Sequence, residues 1–379
     1  MNGSSTPLWS LTARTEPGIV ARPESTPEVP GTVSRFRLAA EWAKQGSVLM
    51  AWPQPDSDWA ALADRAEPTF TAIARAILAE QDLTLCVSSE RQALDLEQRL
   101  VSGTDLGRLH TVVVASNDTW ARDFGPLALS NGAEWRLLDA TFNGWGNKFP
   151  ADRDNAVNRA LHAQGALGSL PLESDPLVVE GGALETDGVG TLLINRPCVL
   201  NPNRGNPEPA AERMTQWFHE RLGAERILWL DHGHLEGDDT DGHIDTLARF
   251  AGPGHIVYQG CDTPGDSHYT ELQAMARELA AHTDGNGQPY RLTALPWPDP
   301  VHDEEGNRLP ATYANFLITN HSVLVPCYGV AQDDEACRVI AGCFPQRRVQ
   351  GIQCRPLIHQ GGSLHCLTMQ LPPGAVPDG

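Results

Sequence analysis

Apolar residues in this chain gather in short runs that break at Gly, Asn and Pro, the pattern of β-hairpins rather than of long helices. Four hairpins are predicted: 127–142 around Asn131-Gly132, 177–194 around Asp187-Gly188, 244–258 around Gly252-Pro253-Gly254, and 313–325 around Asn320. Gly and Asn tolerate the positive φ that such turns require. Each hairpin yields to a helix, with apolar residues at helical spacing: Ala336, Val339, Ile340 and Cys343 in one, and Met214, Trp217 and Phe218 in another. Pro209 and Pro68 are read as first-turn prolines. A further apolar run follows each helix, at 177–179, 227–230, 291–295 and 349–354. The predicted module is therefore strand, strand, helix, strand.

The turns near residues 187, 253 and 320 are 66 and 67 residues apart, a structural repeat although side chains do not recur. An unpaired run at 48–52 opens the ordered chain and another at 364–370 closes it. Pairing them completes a fifth module and closes the ring, which removes exposed strand edges and gathers the inner ends of the modules around one centre. Spacing alone also allows a two-domain α/β protein.

The chain has 379 residues, 41% apolar and 20% charged, which is ordinary globular usage and excludes disordered and fibrous classes. Lys plus Arg is 28 against 48 for Asp plus Glu, a net −20, which argues against nucleic acid or an anionic membrane as partner and suits a cationic ligand. No apolar stretch approaches the roughly 20 residues of a membrane span. Residues 1–35, rich in Pro, Ser and Thr and without the apolar core of a secretory signal, are read as a loose N-terminal tail, and 36–379 as a single domain. Eight sparse cysteines without C-x-x-C spacing imply reduced thiols and a cytoplasmic location.

Chemistry-bearing residues concentrate at the predicted strand ends. Cys366 follows the Gly361-Gly362 pair and begins a short run, where a nucleophile is accessible; it needs a neighbouring cation to favour thiolate. His365 is its neighbour in sequence, but strand alternation turns the ring away from that sulfur. His243 and Asp245, two apart, share one face if 242–247 is extended, as a general acid/base and a cation-binding carboxylate. Glu180 ends the apolar run 177–179 and, if buried, requires a cationic partner. Asp123 is either a ligand carboxylate or the partner of Arg122. Trp120, Trp145, Trp52 and Trp59 are core aromatics or walls for an alkyl cation. Between residues 231 and 245, His232, His234, His243 and several acids invite a metal reading, but H-E-x-x-H is absent.

Together, Trp120-x-Arg-Asp-x-Gly-Pro126, Phe142-Asn-Gly-Trp-Gly146, Glu180-Gly-Gly182, Gly242-His-Ile-Asp245 and the Gly-Gly-x-x-His-Cys string ending at Cys366 resemble the agmatine deiminase family, over roughly residues 36 to 372. The resemblance implies an α/β fold, the five-bladed pseudo-symmetric α/β propeller (pentein) of guanidino-modifying enzymes. It also implies a cysteine hydrolase that converts agmatine to N-carbamoylputrescine and ammonia without metal or organic cofactor. Residue by residue, Cys366 matches the nucleophile, His243 the acid/base, Asp123 and Asp245 the carboxylates that grip the guanidinium, Glu180 the acid near the histidine, and Trp120 an aromatic beside the substrate. Gly362 and Asp239 are further candidates for substrate contact, with Asp238 and Asp239 facing a terminal ammonium or merely solvating their loop. The chain departs from the usual family pattern at Phe124, Gly144, Asp241 and Ser363-Leu364, none of which removes a catalytic group.

The expected partner is a small cationic guanidino compound, with no nucleic acid or membrane and with a homodimer allowed. Competing functions are the same chemistry on free or peptidyl arginine, a metal-dependent hydrolase built on the 232–245 cluster, and a non-catalytic binding propeller.

Overall fold

The strand residues 48–51, 192–194 and 323–325 are apolar and buried, as expected for short strands flanked by helices. A computed structural model describes residues 35–377 apart from 104 and 106. The tail expected over 1–35 lies, Arg35 excepted, outside the described residues.

The chain opens with β1 (Arg37–Leu38), β2 (Ser47–Ala51), β3 (Asp82–Val87) and β4 (Leu109–Val113). Next come β5 (Leu127–Ser130), β6 (Trp135–Thr141) and β7 (Leu172–Val178), then β8 (Glu185–Thr186), β9 (Thr191–Asn195) and β10 (Arg226–Leu230). The remaining strands are β11 (Ala248–Gly252), β12 (His255–Gln259), β13 (Arg291–Leu295), β14 (Leu317–Ile318), β15 (Ser322–Cys327), β16 (Arg348–Gln353) and β17 (Thr368–Leu371). They form five sheets, ordered β1-β5-β6-β7, β10-β9-β8, β11-β12-β13, β14-β15-β16 and β17-β2-β3-β4.

Every sheet repeats one motif. An antiparallel pair (β5/β6, β8/β9, β11/β12, β14/β15, β17/β2) is extended by a parallel third strand (β7, β10, β13, β16, β3). A parallel neighbour needs a crossover, and each is a helix: Val157–Ala163, Ala210–Arg221, Tyr269–Ala281, Asp333–Cys343 and Ala63–Leu78. The strand–strand–helix–strand module is thus present five times. The fifth is assembled from the two chain ends, with Thr368 opposite Met50 and Leu371 opposite Ser47.

Several local expectations differ from the structure. The run 177–179 belongs to the end of β7, paired with β6, so the second hairpin is only Glu185–Thr186 against β9. Residues 244–246 form a 3₁₀ turn rather than strand, because the chain must bend into β11 there. Pro209 does directly precede its helix, whereas Pro68 lies inside Ala63–Leu78, which starts a turn earlier than the proline suggests.

Strands β2, β9 and β15 are buried along their whole length, while the third strands β10, β13 and β16 are partly open to solvent. No helix among the described residues is long and apolar enough to cross a membrane. Met50, fully buried between β17 and β3, tests the closing module. Met50→Ala is expected to lower the unfolding free energy by about 2–5 kcal/mol in urea titration, and an unchanged midpoint would contradict this packing.

Candidate active site

The segment that enters the first strand of each hairpin carries polar or catalytic-type residues: 120–124 before β5, 180–183 before β8, 243–246 before β11, 312–315 before β14 and 363–367 before β17. Because the modules repeat, these five entries converge. Asp123, Glu180, His243, Asp245, Asn315 and Cys366 are all buried.

Cys366 Sγ lies 3.2 Å from Asn315 Nδ2 and 3.7 Å from Asp245 Oδ2. Asn315 fixes this corner, since its Oδ1 accepts from the backbone N–H of His365 at 2.9 Å and of Cys366 at 3.3 Å. Asp245 Oδ2 accepts from His365 Nδ1 at 2.7 Å and from Asn315 Nδ2 at 3.2 Å, while Oδ1 is buried without a protein partner. Burial, reinforced by the Asp245 and Asp123 carboxylates, pushes the Cys366 thiol well above the ordinary thiol range. Burial acts on Asp245 too, but His365, His243 and Arg249 outweigh it and hold that carboxyl below its usual value.

Gly182 is the pivot. A Cβ there would sit 2.6 Å from Asp123 Oδ1, 2.6 Å from His243 Nδ1 and 3.3 Å from Asp245 Oδ2, so the three side chains meet in the space a side chain would fill. Asp123 Oδ1 accepts from Gly182 N–H at 2.9 Å, and Oδ2 from Trp145 Nε1 at 3.0 Å. Trp145 is held in the left-handed region at φ 53, a conformation costing about 1–3 kcal/mol that recurs where a side chain must be aimed. Burial raises the Asp123 carboxyl to about 6, with His243 opposing and Asp245 and Glu180 adding to the rise.

His243 is fully buried, with Nδ1 3.5 Å from Asp123 Oδ1 and Nε2 3.5 Å from Glu180 Oε2. Burial disfavours its charge, yet Asp123, Cys198 and Glu180 carry the imidazole well above its ordinary value. Glu180 has the cationic partner its burial demands: Arg204 Nε donates to Oε1 at 2.9 Å and Nη2 to Oε2 at 3.2 Å. Burial notwithstanding, His243 and Arg204 lower its pKa. Arg204 also pairs with Asp241, which Lys148 engages from the far side at 2.8 Å.

In front of these groups lies a cavity of about 220 Å³ lined by Cys366, Asp123, Trp120, Trp145, Gly362 and Asp239 among others. A Cβ on Gly362 would fall 2.4 Å from the Trp120 ring, so the backbone lies flat on the indole. Asp239 sits beside Gly361 at the rim, its carboxyl raised to about 6 by burial and by Asp238. Asp238 spends its carboxylate on its own loop, accepting from Thr240 N at 2.9 Å and Gly242 N at 2.8 Å. Trp59 backs Trp120 at 5.6 Å between centroids and donates to Asp118 at 2.9 Å, whereas Trp52 packs on Phe70 away from the cavity.

The 231–245 histidines do not converge. His232 is exposed and faces Glu271 and Glu278, His234 is exposed, and only His243 points inward. The one cluster of metal-ligand type among the described residues is Glu180, Cys198 and His243, within 4.8 Å. The Arg204 guanidinium, 3.2 Å from Glu180 Oε2 and 3.7 Å from Cys198 Sγ, places a fixed cation against two of its three members.

Residues 37–372 match the family model described as Porphyromonas-type peptidyl-arginine deiminase. The chain belongs to this family. It is 33% identical to the agmatine deiminase of Stutzerimonas stutzeri, over 92% of this chain and 97% of that one. A C. jejuni agmatine deiminase, solved as a cysteine-to-serine variant with substrate bound, superposes with a TM-score of 0.81 at 31% identity, covering 89% of this chain and 96% of that one. A Porphyromonas gingivalis structure provisionally named arginine deiminase gives 0.82 at 44% identity, covering 90% and 100%. Membership makes this chain a hydrolase of carbon–nitrogen bonds in amidine or guanidino groups.

Asn315, Arg204 and Glu41 were not singled out from sequence, and Gly182 entered only as part of the Glu180-Gly-Gly182 string. For Asn315 the signal existed, since it occupies in the fourth module the same entry that Asp123 or Cys366 occupies in theirs. Gly182→Ala is expected to cut kcat/KM by about a hundredfold or more through displacement of Asp123 and His243, at a stability cost of about 1–3 kcal/mol read from the unfolding midpoint. If Asp123 must be ionised to bind a cation, kcat/KM falls as pH drops through about 6. A profile flat from pH 5 to 8 would remove Asp123 from that role.

Proposed function

We propose that this protein is an agmatine deiminase acting through Cys366, and that its five sheets are the blades of a five-bladed α/β propeller over residues 36–379. The observation that carries the substrate assignment is the cavity lining. Asp58, Asp118, Asp123, Asp238 and Asp239 contribute to it, with no Arg or Lys. Agmatine, a guanidinium and an ammonium joined by a short alkyl chain, complements such a wall at both ends. The α-carboxylate of arginine would meet the acids without a cationic partner.

Asp123 and the free Oδ1 of Asp245 grip the guanidinium plane, Trp120 and the Gly362 backbone flank the chain, and Asp239 receives the distal ammonium. Binding a cation 4 Å or so from the sulfur offsets the carboxylates that keep Cys366 protonated, so the thiol releases its proton when substrate is present. The thiolate forms a bond to the central guanidinium carbon. Protonated His243, held in that state by Asp123 and Glu180, delivers its proton to one nitrogen, which leaves as ammonia and yields a covalent thiouronium. Neutral His243 then takes a proton from an attacking water; the carbon–sulfur bond breaks as the sulfur takes up the remaining hydroxyl proton, releasing N-carbamoylputrescine and the Cys366 thiol.

Free arginine is the second reading, favoured by the provisional name of the P. gingivalis protein. Three measurements test the proposal. Cys366→Ala is expected to abolish ammonia release, while chelator leaves the wild type unaffected. Agmatine is expected to exceed free arginine in kcat/KM by roughly a hundredfold or more for the unpaired carboxylate alone, and to exceed a blocked arginyl peptide, which lacks the distal ammonium. Activity retained in the alanine variant, loss with chelator that zinc restores, or preference for either arginine compound would overturn it.

A further inference from the structure

Directly behind the nucleophile, the structure carries a second set of buried charges. His365 and Arg122 line a rear cavity of about 30 Å³ with Glu41, Glu185 and Gln370, whereas their chain neighbours Cys366 and Asp123 line the front one. The two cavities share no lining residue. The His365 ring spans the wall between them, with Nδ1 2.7 Å from Asp245 Oδ2 and Nε2 2.6 Å from Glu41 Oε2.

We propose that His365 is a positioning residue for the reaction, an imidazolium strut that holds Asp245 by Oδ2 and leaves Oδ1 free for the guanidinium. The proposal deepens the deiminase reading above and rests on it. A neutral imidazole carries one N–H and can donate to one carboxylate only; two carboxylate oxygens at 2.6 and 2.7 Å call for a proton on each ring nitrogen. The charges agree. Around the ring, Asp245, Glu41 and Glu185 face Arg249 and Arg122, so three buried carboxylates are balanced by three cations only when His365 is the third.

Glu41 is in turn immobile. Its Oε2 accepts from Arg249 Nη2 at 2.6 Å and its Oε1 from Ile318 N–H at 2.6 Å, and Arg122 Nη2 stands 3.6 Å away. Arg249 is fixed by Glu185 at 2.7 Å and by the Phe316 carbonyl at 2.7 Å. These contacts draw on residues before β2, before β5, in β8, in β11, beside β14 and before β17, so elements of all five sheets brace one imidazole. Two consequences follow for Asp245: it stays ionised although buried beside Asp123, and it cannot rotate to present both oxygens to the Cys366 thiol.

Steady-state kinetics on agmatine across pH, with wild type, His365→Asn and Glu41→Gln, test this. The asparagine keeps a donor toward Asp245 but loses the charge and the tie to Glu41. We expect kcat/KM to fall roughly tenfold to a hundredfold, chiefly through KM. The acid limb should move upward and steepen from one proton to two, because Asp245 then titrates alongside Asp123. Glu41→Gln should shift the limb in the same direction. A folded His365→Asn enzyme with unchanged KM and acid limb would overturn the strut while leaving the agmatine assignment standing; absent turnover in the wild type would overturn that assignment instead. If the variants do not fold, neutron diffraction on the wild type decides. Protons on both ring nitrogens are expected, and a bare nitrogen would contradict the proposal.

Discussion

A buried carboxylate is stabilised by a positive charge or by donated hydrogen bonds, and Asp123, at the front of the site, has its nearest cation, His243, standing off at 3.5 Å. Every carboxylate behind it is served at hydrogen-bond distance: Glu180 by Arg204, Glu185 by Arg249, Glu41 by Arg249 and His365, and Asp245 by His365. Burial, with Asp245 and Glu180 nearby, keeps the Asp123 carboxyl near 6, and burial with the Asp245 and Asp123 carboxylates keeps the neighbouring thiol protonated. A cationic ligand relieves both conditions at once. In the proposed reaction, recognition of the cation and activation of the sulfur are then a single electrostatic event.

This arrangement depends on the repeated module more than on any single loop. In each of the five sheets the chain bends just before the first hairpin strand, and the bend aims polar groups toward the others. Where the bend must be tightest, the residue is glycine for want of space, as at Gly182, or is forced into the left-handed region, as at Trp145. From that conformation the Trp145 indole N–H is one of the two donors that orient Asp123.

Much of this was legible in the chain. Turn residues at 187, 253 and 320 marked the repeat, and the apolar runs after the helices became the parallel strands β10, β13 and β16. The pairing of the two chain ends followed from closure and is observed between β17 and β2. Periodicity failed where the backbone leaves the strand, at 244–246, and so His243 and Asp245 face one site around a 3₁₀ turn rather than along an extended face. Strand alternation was expected to turn the His365 ring off the sulfur, but 364–367 form a turn before β17, and the ring bonds Asp245, which itself lies 3.7 Å from that sulfur. Glu41, Arg204 and Arg249 carried no local signal. Glu41 meets His365 across 324 residues and Arg249 across 208, and no window on the sequence contains such a pair.

The claim on which the account turns is that the Cys366 sulfur ionises in response to a bound cation. It is tested most directly by ultraviolet absorbance in the thiolate band, comparing wild type with Cys366→Ser at neutral pH before and after saturation with an alkylguanidinium ligand. The account predicts no Cys366-dependent band in the free protein and its appearance on binding. A full band in the free protein, or none in either state, would contradict it.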